Sequence, residues 1–307
     1  MILSHGRVCI AVLACLGAVA PFAAPAAEPP VAIAAHYNVT MTHVKVGQLS
    51  WTINLSDASY ITSAKGTASG VLSVLVKGEG AFTTRGAIAG AQLTPAVARS
   101  DINDDDGTYE TEMTFENGAL KRVEDRGAAP PKDRIAVDKK FLRDVTDPLS
   151  AMLIASAQSA MAPANCRRTL KIYDGRRRYD LALSFKRTAT MKMARGYAGP
   201  VLVCAVVLEP IGGYKPDSML VRYLAGKDDL EMWFAPIKGA PFLLPVRALM
   251  PTLVGTMDIE ADEFIARSVE TAPTAAEAGP VAPAKPVESA PLAPPSPGGA
   301  SQPPLKP

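Results

Sequence analysis

Hydrophobic and polar residues alternate with a period of two along most of the chain between residues 37 and 259. This alternation is typical of strands with one buried and one solvated face. Many short strands at close spacing predict a mainly β protein, built as a large curved antiparallel sheet or an open β-barrel. The predicted strands are 37–42, 49–55, 60–66, 82–88, 93–101, 109–115, 120–123, 170–172, 179–185, 201–208, 219–224, 230–234, 243–249 and 253–259.

Dipeptides that favour a positive φ mark the hairpin turns of this sheet. Asp106-Gly107, Asn117-Gly118 and Asp174-Gly175 each stand between or beside two alternating runs. Such pairs are the strongest local signal for a tight turn, because both central residues need the left-handed region. The charged, proline-containing segment 125–140 is predicted to be a surface loop.

One clear α-helix is predicted over about residues 147–161. Asp147 is a good N-cap and Pro148 suits the first helical position, while Pro163 limits the helix at its far end. For residues 67–77 we predict a short helix or half-turn from the helical spacing of Val71, Val74 and Leu75, with a strand as the alternative because two of these residues are β-branched.

The two ends of the chain differ in composition from its middle. We expect residues 1–27 to be an export signal peptide, since a basic start precedes an uncharged apolar run too short to span a membrane and then small residues. A lead-in over residues 28–35, a single antiparallel β domain over 36–265 and a disordered Pro/Ala-rich tail over 268–307 complete the predicted organisation.

Export places the mature protein in the periplasm, and no transmembrane span is expected after signal removal. Two alternatives are a retained N-terminal anchor and a lipoprotein acylated at Cys15, which follows Val12-Leu13-Ala14. The formal charge of +2 gives no reason to expect a nucleic-acid partner, which normally leaves a strongly basic surface.

Two of the four cysteines, Cys166 and Cys204, lie outside the predicted signal. An even pair in an exported chain predicts a disulfide. Two separate buried thiols are the alternative.

Several segments, in this order, resemble exported bacterial proteins of domain-of-unknown-function family 3108. The resemblance covers about residues 36–262 and implies an exported β-rich domain with no established activity. The predicted architecture is also similar in outline to the periplasmic half-barrels that carry lipoproteins. The segments that carry it are Tyr37, Gly47, Tyr60, the Gly80–Pro95 strand pair, Asp147-Pro148-Leu149-Ser150, Tyr173-Asp174-Gly175 with Tyr179, and Trp233 followed by Pro245-Val246-Arg247.

Candidate binding residues are few, and we predict no catalytic, cofactor or metal site. Trp51, Phe115, Phe185 and Trp233 are candidates for lining an apolar ligand pocket, although core packing is the more frequent role of such residues. The basic cluster Arg176-Arg177-Arg178, with Arg167 and Arg168 near it, fits either a charged face or an anionic contact.

Residues with metal-ligand or acid–base chemistry do not form a recognisable motif. Asp101, Asn103, Asp105 and Glu112 match calcium-loop positions, but the glycine comes one residue late and the flanking segments are strands, so a hairpin tip is preferred. His36 and His43 are separated by an odd number of positions, so on one strand they would face opposite sides and share no metal.

Three functions follow from these patterns. The first is a non-enzymatic exported domain that binds a lipid-like ligand or an apolar protein segment. The second is an envelope interaction protein that uses its Pro/Ala-rich tail. The third is an enzyme built on carboxylates such as Asp57, Glu110 or Glu112, which we do not favour.

Overall fold

The computed structural model describes residues 30–68, 78–104, 107–156 and 159–269. The predicted signal peptide, residues 69–77 of the ambiguous segment, Asp105-Asp106 and the tail from residue 270 lie outside the described residues. The described chain is mainly β, as predicted, and its strands join one sheet that is antiparallel except for one short parallel pair.

Fifteen strands are present in the described ranges, with short helices between some of them. The strands are β1 Val31–Met41, β2 Val44–Leu55, β3 Ser59–Ala68, β4 Glu79–Ala89, β5 Gln92–Asp104, β6 Gly107–Glu116, β7 Ala119–Gly127, β8 Ile154–Ala155, β9 Arg168–Tyr173, β10 Arg178–Lys192, β11 Arg195–Gly196, β12 Ala198–Gly212, β13 Leu230–Pro236, β14 Phe242–Thr252 and β15 Gly255–Ser268. The helices are α1 Pro148–Met152 and α2 Met219–Leu224, with 3-10 helices at Lys139–Leu142 and Pro163–Cys166.

The sheet is open, and its strands follow the order β7-β6-β5-β4-β3-β2-β1-β15-β14-β13-β12-β10-β9. Strands β7 and β9 are the two edges. One contact between these edges is the ion pair of Arg176, in the turn after β9, with Asp125 of β7 at 2.6 Å. The predicted open, curved sheet is therefore confirmed.

The predicted positive φ is present at both residues of Asn117-Gly118, but only at the glycine of Asp174-Gly175, where four residues connect β9 to β10. Asn117 and Gly118 adopt φ of 51° and 77° between β6 and β7, and Gly175 adopts 98° between β9 and β10. Asp174 tightens its turn, because its Oδ1 accepts hydrogen bonds from the backbone N–H groups of Arg176 and Arg177. Local sequence was sufficient to predict the position of both turns, since each turn is built from residues adjacent in the chain.

The helix prediction was right about the start and wrong about the length. Asp147 caps α1 by accepting from the N–H groups of Leu149 and Ser150, but the helix ends at Met152 instead of continuing to 161. Beyond it, Ile154 pairs with Leu243 as the short strand β8. Leu153 then packs into one hydrophobic core and Ile154 into another. An extended chain points consecutive side chains to opposite faces, which a helix cannot do.

A second prediction was wrong at residues 219–224, where the structure has α2 in place of a strand. Ser218 caps this helix through a hydrogen bond from the N–H of Val221 to its Oγ. The missed signal was this serine, a favoured N-cap placed directly before the apolar run.

Two predicted boundaries also differ from the structure. At the amino end, β1 begins at Val31, inside the predicted lead-in of residues 28–35. Part of the predicted loop 125–140 continues β7 as far as Gly127.

Three clusters of buried side chains fill the domain. The largest joins β1, β2 and β3 to β12, β13, β14, β15 and α1, and includes Trp51, Ile53, Tyr60, Leu244 and Phe264. The second surrounds Cys166 and Cys204, and the third lies between β5, β6 and the segment around Val145.

The predicted disulfide between Cys166 and Cys204 is present, with a Cα–Cα distance of 5.5 Å and both residues fully buried. It joins the 3-10 helix Pro163–Cys166 to the middle of β12 and so attaches that helix covalently to the sheet. A disulfide of this kind indicates an oxidising compartment.

Candidate functional site

The four aromatic residues predicted to line a ligand pocket lie in different parts of the fold. Trp51 is buried in the largest core and donates its Nε1–H to Thr62 Oγ1 at 2.6 Å. Phe115 is buried in the cluster beside β6, and Phe185 is 39% exposed. The structure therefore does not bring these residues together around one cavity.

Trp233, the fourth of them, is held in a network of charged groups. Its ring lies between the guanidinium groups of Arg187 and Arg247, with centroid distances of 5.1 and 5.2 Å. Its Nε1 donates to Glu231 at 2.8 Å, and Arg247 forms an ion pair with Asp258 at 2.5 Å. The ring is thus occupied by cation–π contacts.

Glu231 is the most strongly perturbed carboxylate of this network. It accepts two hydrogen bonds from Arg187, at 2.8 and 2.9 Å, and contacts Lys186 Nζ at 2.8 Å. The bonds from Arg187, followed by those from Lys186 and Trp233, lower the pKa of Glu231 from 4.5 to about 2, against the opposing effect of its burial. The group stays ionised at neutral pH and fixes both cations.

The stability of the protein should therefore depend on Glu231 at acidic pH. Because its pKa is depressed in the folded state, its contribution is complete above pH 4.5 and is lost as the pH falls towards 2. We expect the ionised Glu231 to contribute about 1–2 kcal/mol to the free energy of unfolding, because solvent screens its interaction with the exposed cations. Urea unfolding of the wild type and Glu231→Gln between pH 6 and pH 2 measures this. The difference between the two proteins should shrink as the pH falls, and a difference that stays constant with pH would contradict the assignment.

The basic residues predicted as a cluster are engaged within the protein. Arg176 pairs with Asp125 and stacks over the ring of Tyr109 at 3.4 Å, while Arg178 is buried and pairs with Asp180. Arg168 Nη2 donates to the carbonyl of Ala155. These contacts favour the structural interpretation of the cluster.

The predicted histidines and carboxylates are likewise dispersed. His36 contacts Asp262 at 2.7 Å, and His43 lies in the turn between β1 and β2. Asp57 lies in the turn after β2, and Glu110 and Glu112 lie on β6. Within the described ranges, no group of three or more histidine, cysteine, aspartate or glutamate side chains is placed to hold a metal ion.

The hairpin between β10 and β12 builds a different candidate site. Its loop, residues 193–197, which we call the strap, reaches β15, although β13 and β14 separate β12 from β15 in the sheet order. The N–H of Tyr197 donates to the carbonyl of Phe264 at 3.0 Å, and β11 within the strap pairs in parallel with β15.

Gly196 allows the backbone of the strap to lie directly against β15. Gly196 has a φ of +91°, and a Cβ at this position would lie 2.1 Å from the Phe264 carbonyl oxygen. Any L side chain at this position would have an unfavourable backbone conformation and would also clash with the Phe264 carbonyl oxygen. The strap also places Met193 in the largest core and Tyr197 against it, with ring centroids of Tyr197 and Phe264 5.7 Å apart.

An apolar groove of about 400 Å³ lies between the strap, the end of β13 and β15, and we call it the strap groove. Burial raises the pKa of Tyr197 on its wall, and the hydroxyl of that residue donates to the carbonyl of Pro200. Lys238 is exposed and is the charged residue of the lining. The lining residues are Gly196, Tyr197, Ala198, Pro236, Lys238, Phe264, Ile265 and Ala266.

The strap groove suits an apolar ligand better than the hollow on β5, β6 and β7 does, and it is about twice as large as a second apolar hollow, of about 200 Å³, beside Leu55 and Phe242. A hollow of about 250 Å³ on β5, β6 and β7 is lined mainly by charged groups, and these pair with one another, as Arg99 does with Glu112 at 2.7 Å. Ligand sites are usually apolar with a few polar groups that fix orientation. Sequence alone did not indicate the strap groove, because its walls come from residues up to 70 positions apart.

These features define an antiparallel, barrel-like β domain that contains the Cys166–Cys204 disulfide. The family described as "Protein of unknown function (DUF3108)" matches residues 36–262, and the chain belongs to that family. The resemblance noted from the sequence is thereby confirmed.

Among solved structures, the chain is similar to a beta-barrel-like protein of domain of unknown function DUF1849 from Brucella abortus. The identity is 10%, the TM-score is 0.42, and the similarity covers 77% of this chain and 97% of that one. No curated protein matches the chain. No helix in the described part of the chain has the length and apolar character needed to cross a bilayer.

Proposed function

We propose that this protein is an exported, non-enzymatic binding domain that holds a lipid-like molecule or an apolar protein segment in the strap groove. The observation that carries the proposal is the groove itself, an apolar hollow of about 400 Å³ with one lysine in its lining. Its volume lies within the range usual for small-molecule sites. An apolar chain lying on Phe264 and Ile265 would place a polar or anionic head near Lys238.

Export to the periplasm belongs to the same proposal. The disulfide supports it, because cysteine pairs of this kind are stable in oxidising compartments. The basic start and apolar run of residues 1–20 support it independently.

Native and denaturing mass spectrometry of the exported protein tests the groove. We expect a native mass that exceeds the denatured mass by a few hundred daltons, with the difference released by solvent. Ala266→Trp should remove most of this extra mass, because the indole would fill the groove. Ala87→Trp, at an exposed position on β4, is the matched control and should retain it. Equal native and denatured masses in the wild type would overturn the proposal.

A further inference from the structure

Two neighbouring hairpin tips carry an exposed apolar surface at the end of the sheet where β1 ends. The first tip is the connection between β1 and β2, with Val44 55% exposed. The second connects β14 to β15, with Leu253 51% and Val254 77% exposed. We call residues 41–46 and 250–257 together the tip pair. Large exposed side chains that adjoin one another mark interaction sites more often than scattered ones do.

Hydrogen bonds hold the tip pair together as one unit. The N–H of Thr42 donates to the carbonyl of Thr256 at 3.0 Å, and Thr42 Oγ1 donates to the carbonyl of Val254 at 3.4 Å. Strand pairing places Met257 opposite both Met41 and Met250 behind these residues. Three methionines on adjacent paired strands therefore lie next to the two turns that carry the exposed residues.

The backbone at the outermost point is already satisfied from within. Thr252 Oγ1 accepts from the N–H of Val254 at 3.3 Å and donates to the carbonyl of Gly255 at 2.7 Å. With the bond from Thr42 Oγ1 to the Val254 carbonyl, both polar backbone groups of Val254 have a partner within the protein. Such pairing is needed for backbone that enters an apolar medium, where an unpaired group costs several kcal/mol.

The composition of the tip pair favours a lipid surface over a protein partner. Its sequences, MTHVKV and MPTLVGTM, contain one lysine and no aspartate or glutamate. A single cation beside aliphatic side chains complements an anionic bilayer surface. The sequences also lack tryptophan, tyrosine and arginine, the residues that dominate binding energy at protein interfaces.

Two further exposed hydrophobic residues lie on α2, a helix that contacts β14. Met219 and Leu220 of this helix are 63% and 44% exposed. Five of the ten exposed large hydrophobic residues in the described chain thus belong to the tip pair or to α2.

We infer that the tip pair is a membrane-contacting surface, which inserts Val44, Leu253 and Val254 into the interface of an anionic bilayer with Lys45 at the headgroups. The inference does not depend on the strap groove, since the tip pair lies where β15 begins and the groove lies near the end of that strand.

Fluorescence quenching by brominated lipids tests directly whether the tip pair lies in the bilayer. Val254→Trp and the matched control Ile61→Trp, which is 54% exposed on β3, are each mixed with phosphatidylglycerol/phosphatidylethanolamine vesicles. We expect quenching of the added emission at least twofold stronger for Val254→Trp. Equal quenching at the two positions, or none at either, would overturn the inference. An N-terminal anchor would hold the protein on the vesicle without placing residue 254 in the bilayer.

A binding measurement that keeps the native tryptophans completes the test. Leu253→Ser combined with Val254→Ser should weaken co-sedimentation with the same vesicles at least tenfold. Lys45→Glu should weaken it on anionic vesicles and have little effect on phosphatidylcholine. Unchanged vesicle binding by the double variant, or loss of self-association in its place, would contradict a bilayer role. The mass carried by the strap groove should stay unchanged in these variants, so the two proposals fail separately.

Discussion

Removal of the disulfide should lower the free energy of unfolding by about 4 kcal/mol, the largest single effect we expect. Cys166 and Cys204 are 38 positions apart, and opening a loop of that length frees the unfolded chain by about this amount in the chain-entropy model. Both residues are fully buried, so replacing them also leaves small cavities. The segment that carries Ile154 and Cys166 should be the first part to separate from the sheet.

Urea unfolding of the wild type, with and without reductant, and of the Cys166→Ala/Cys204→Ala double variant measures this effect. Reductant should shift the wild-type midpoint towards that of the double variant and leave the double variant unchanged. A wild type that unfolds at the same urea concentration in both conditions would show that the bond contributes nothing to stability.

Replacing Asp147 with alanine should lower the free energy of unfolding by about 3 kcal/mol. Its Oδ1 accepts hydrogen bonds from Thr84 Oγ1 at 2.7 Å and from the N–H groups of Leu149 and Ser150 at 3.0 and 3.1 Å. Asp147 and Thr84 are each 1% exposed. Alanine would therefore remove the helix cap and leave the Thr84 hydroxyl buried without this acceptor, each at a cost of about 1–2 kcal/mol.

Two variants separate this role from a general effect of losing an aspartate. Asp147→Asn keeps an oxygen acceptor and a good N-cap, so we expect it to cost about 1 kcal/mol. Asp138→Ala removes a similar cap from the exposed 3-10 helix at Lys139–Leu142 and should cost less than about 0.5 kcal/mol. Chemical denaturation gives all three values. Equal losses for Asp147→Ala and Asp138→Ala would show that the buried bonds to Thr84 and α1 carry no special weight.

Asp147 also helps to hold α1 against β3 and β4. The residue ties α1 to β4 through Thr84, and the Tyr60 hydroxyl on β3 lies 2.6 Å from Ser150 Oγ on the helix. Burial, followed by the charge of Asp147, raises the pKa of Tyr60 far above its usual value. These bonds hold α1 against the sheet.

Local patterns in the sequence determined much of this protein. The period of two predicted the antiparallel sheet, because alternate burial leaves a direct trace in the order of residues. Asp174-Gly175 and Asn117-Gly118 fixed their turns, and Asp147-Pro148 fixed the first turn of α1, because each depends on neighbours along the chain. The cysteine pair needed only the assumption of an oxidising compartment.

The tertiary structure alone decided where the helix ends, which aromatic residues share a space and where a groove opens. The helix ends at Met152, and Ile154 pairs with Leu243, a partner 89 positions away that no local pattern specifies. Trp51 and Trp233 have similar apolar character in the sequence, yet one fills the core and the other lies between two guanidinium groups. The strap groove and the tip pair exist because distant segments meet, and contacts between distant segments leave no periodic signal in a single sequence.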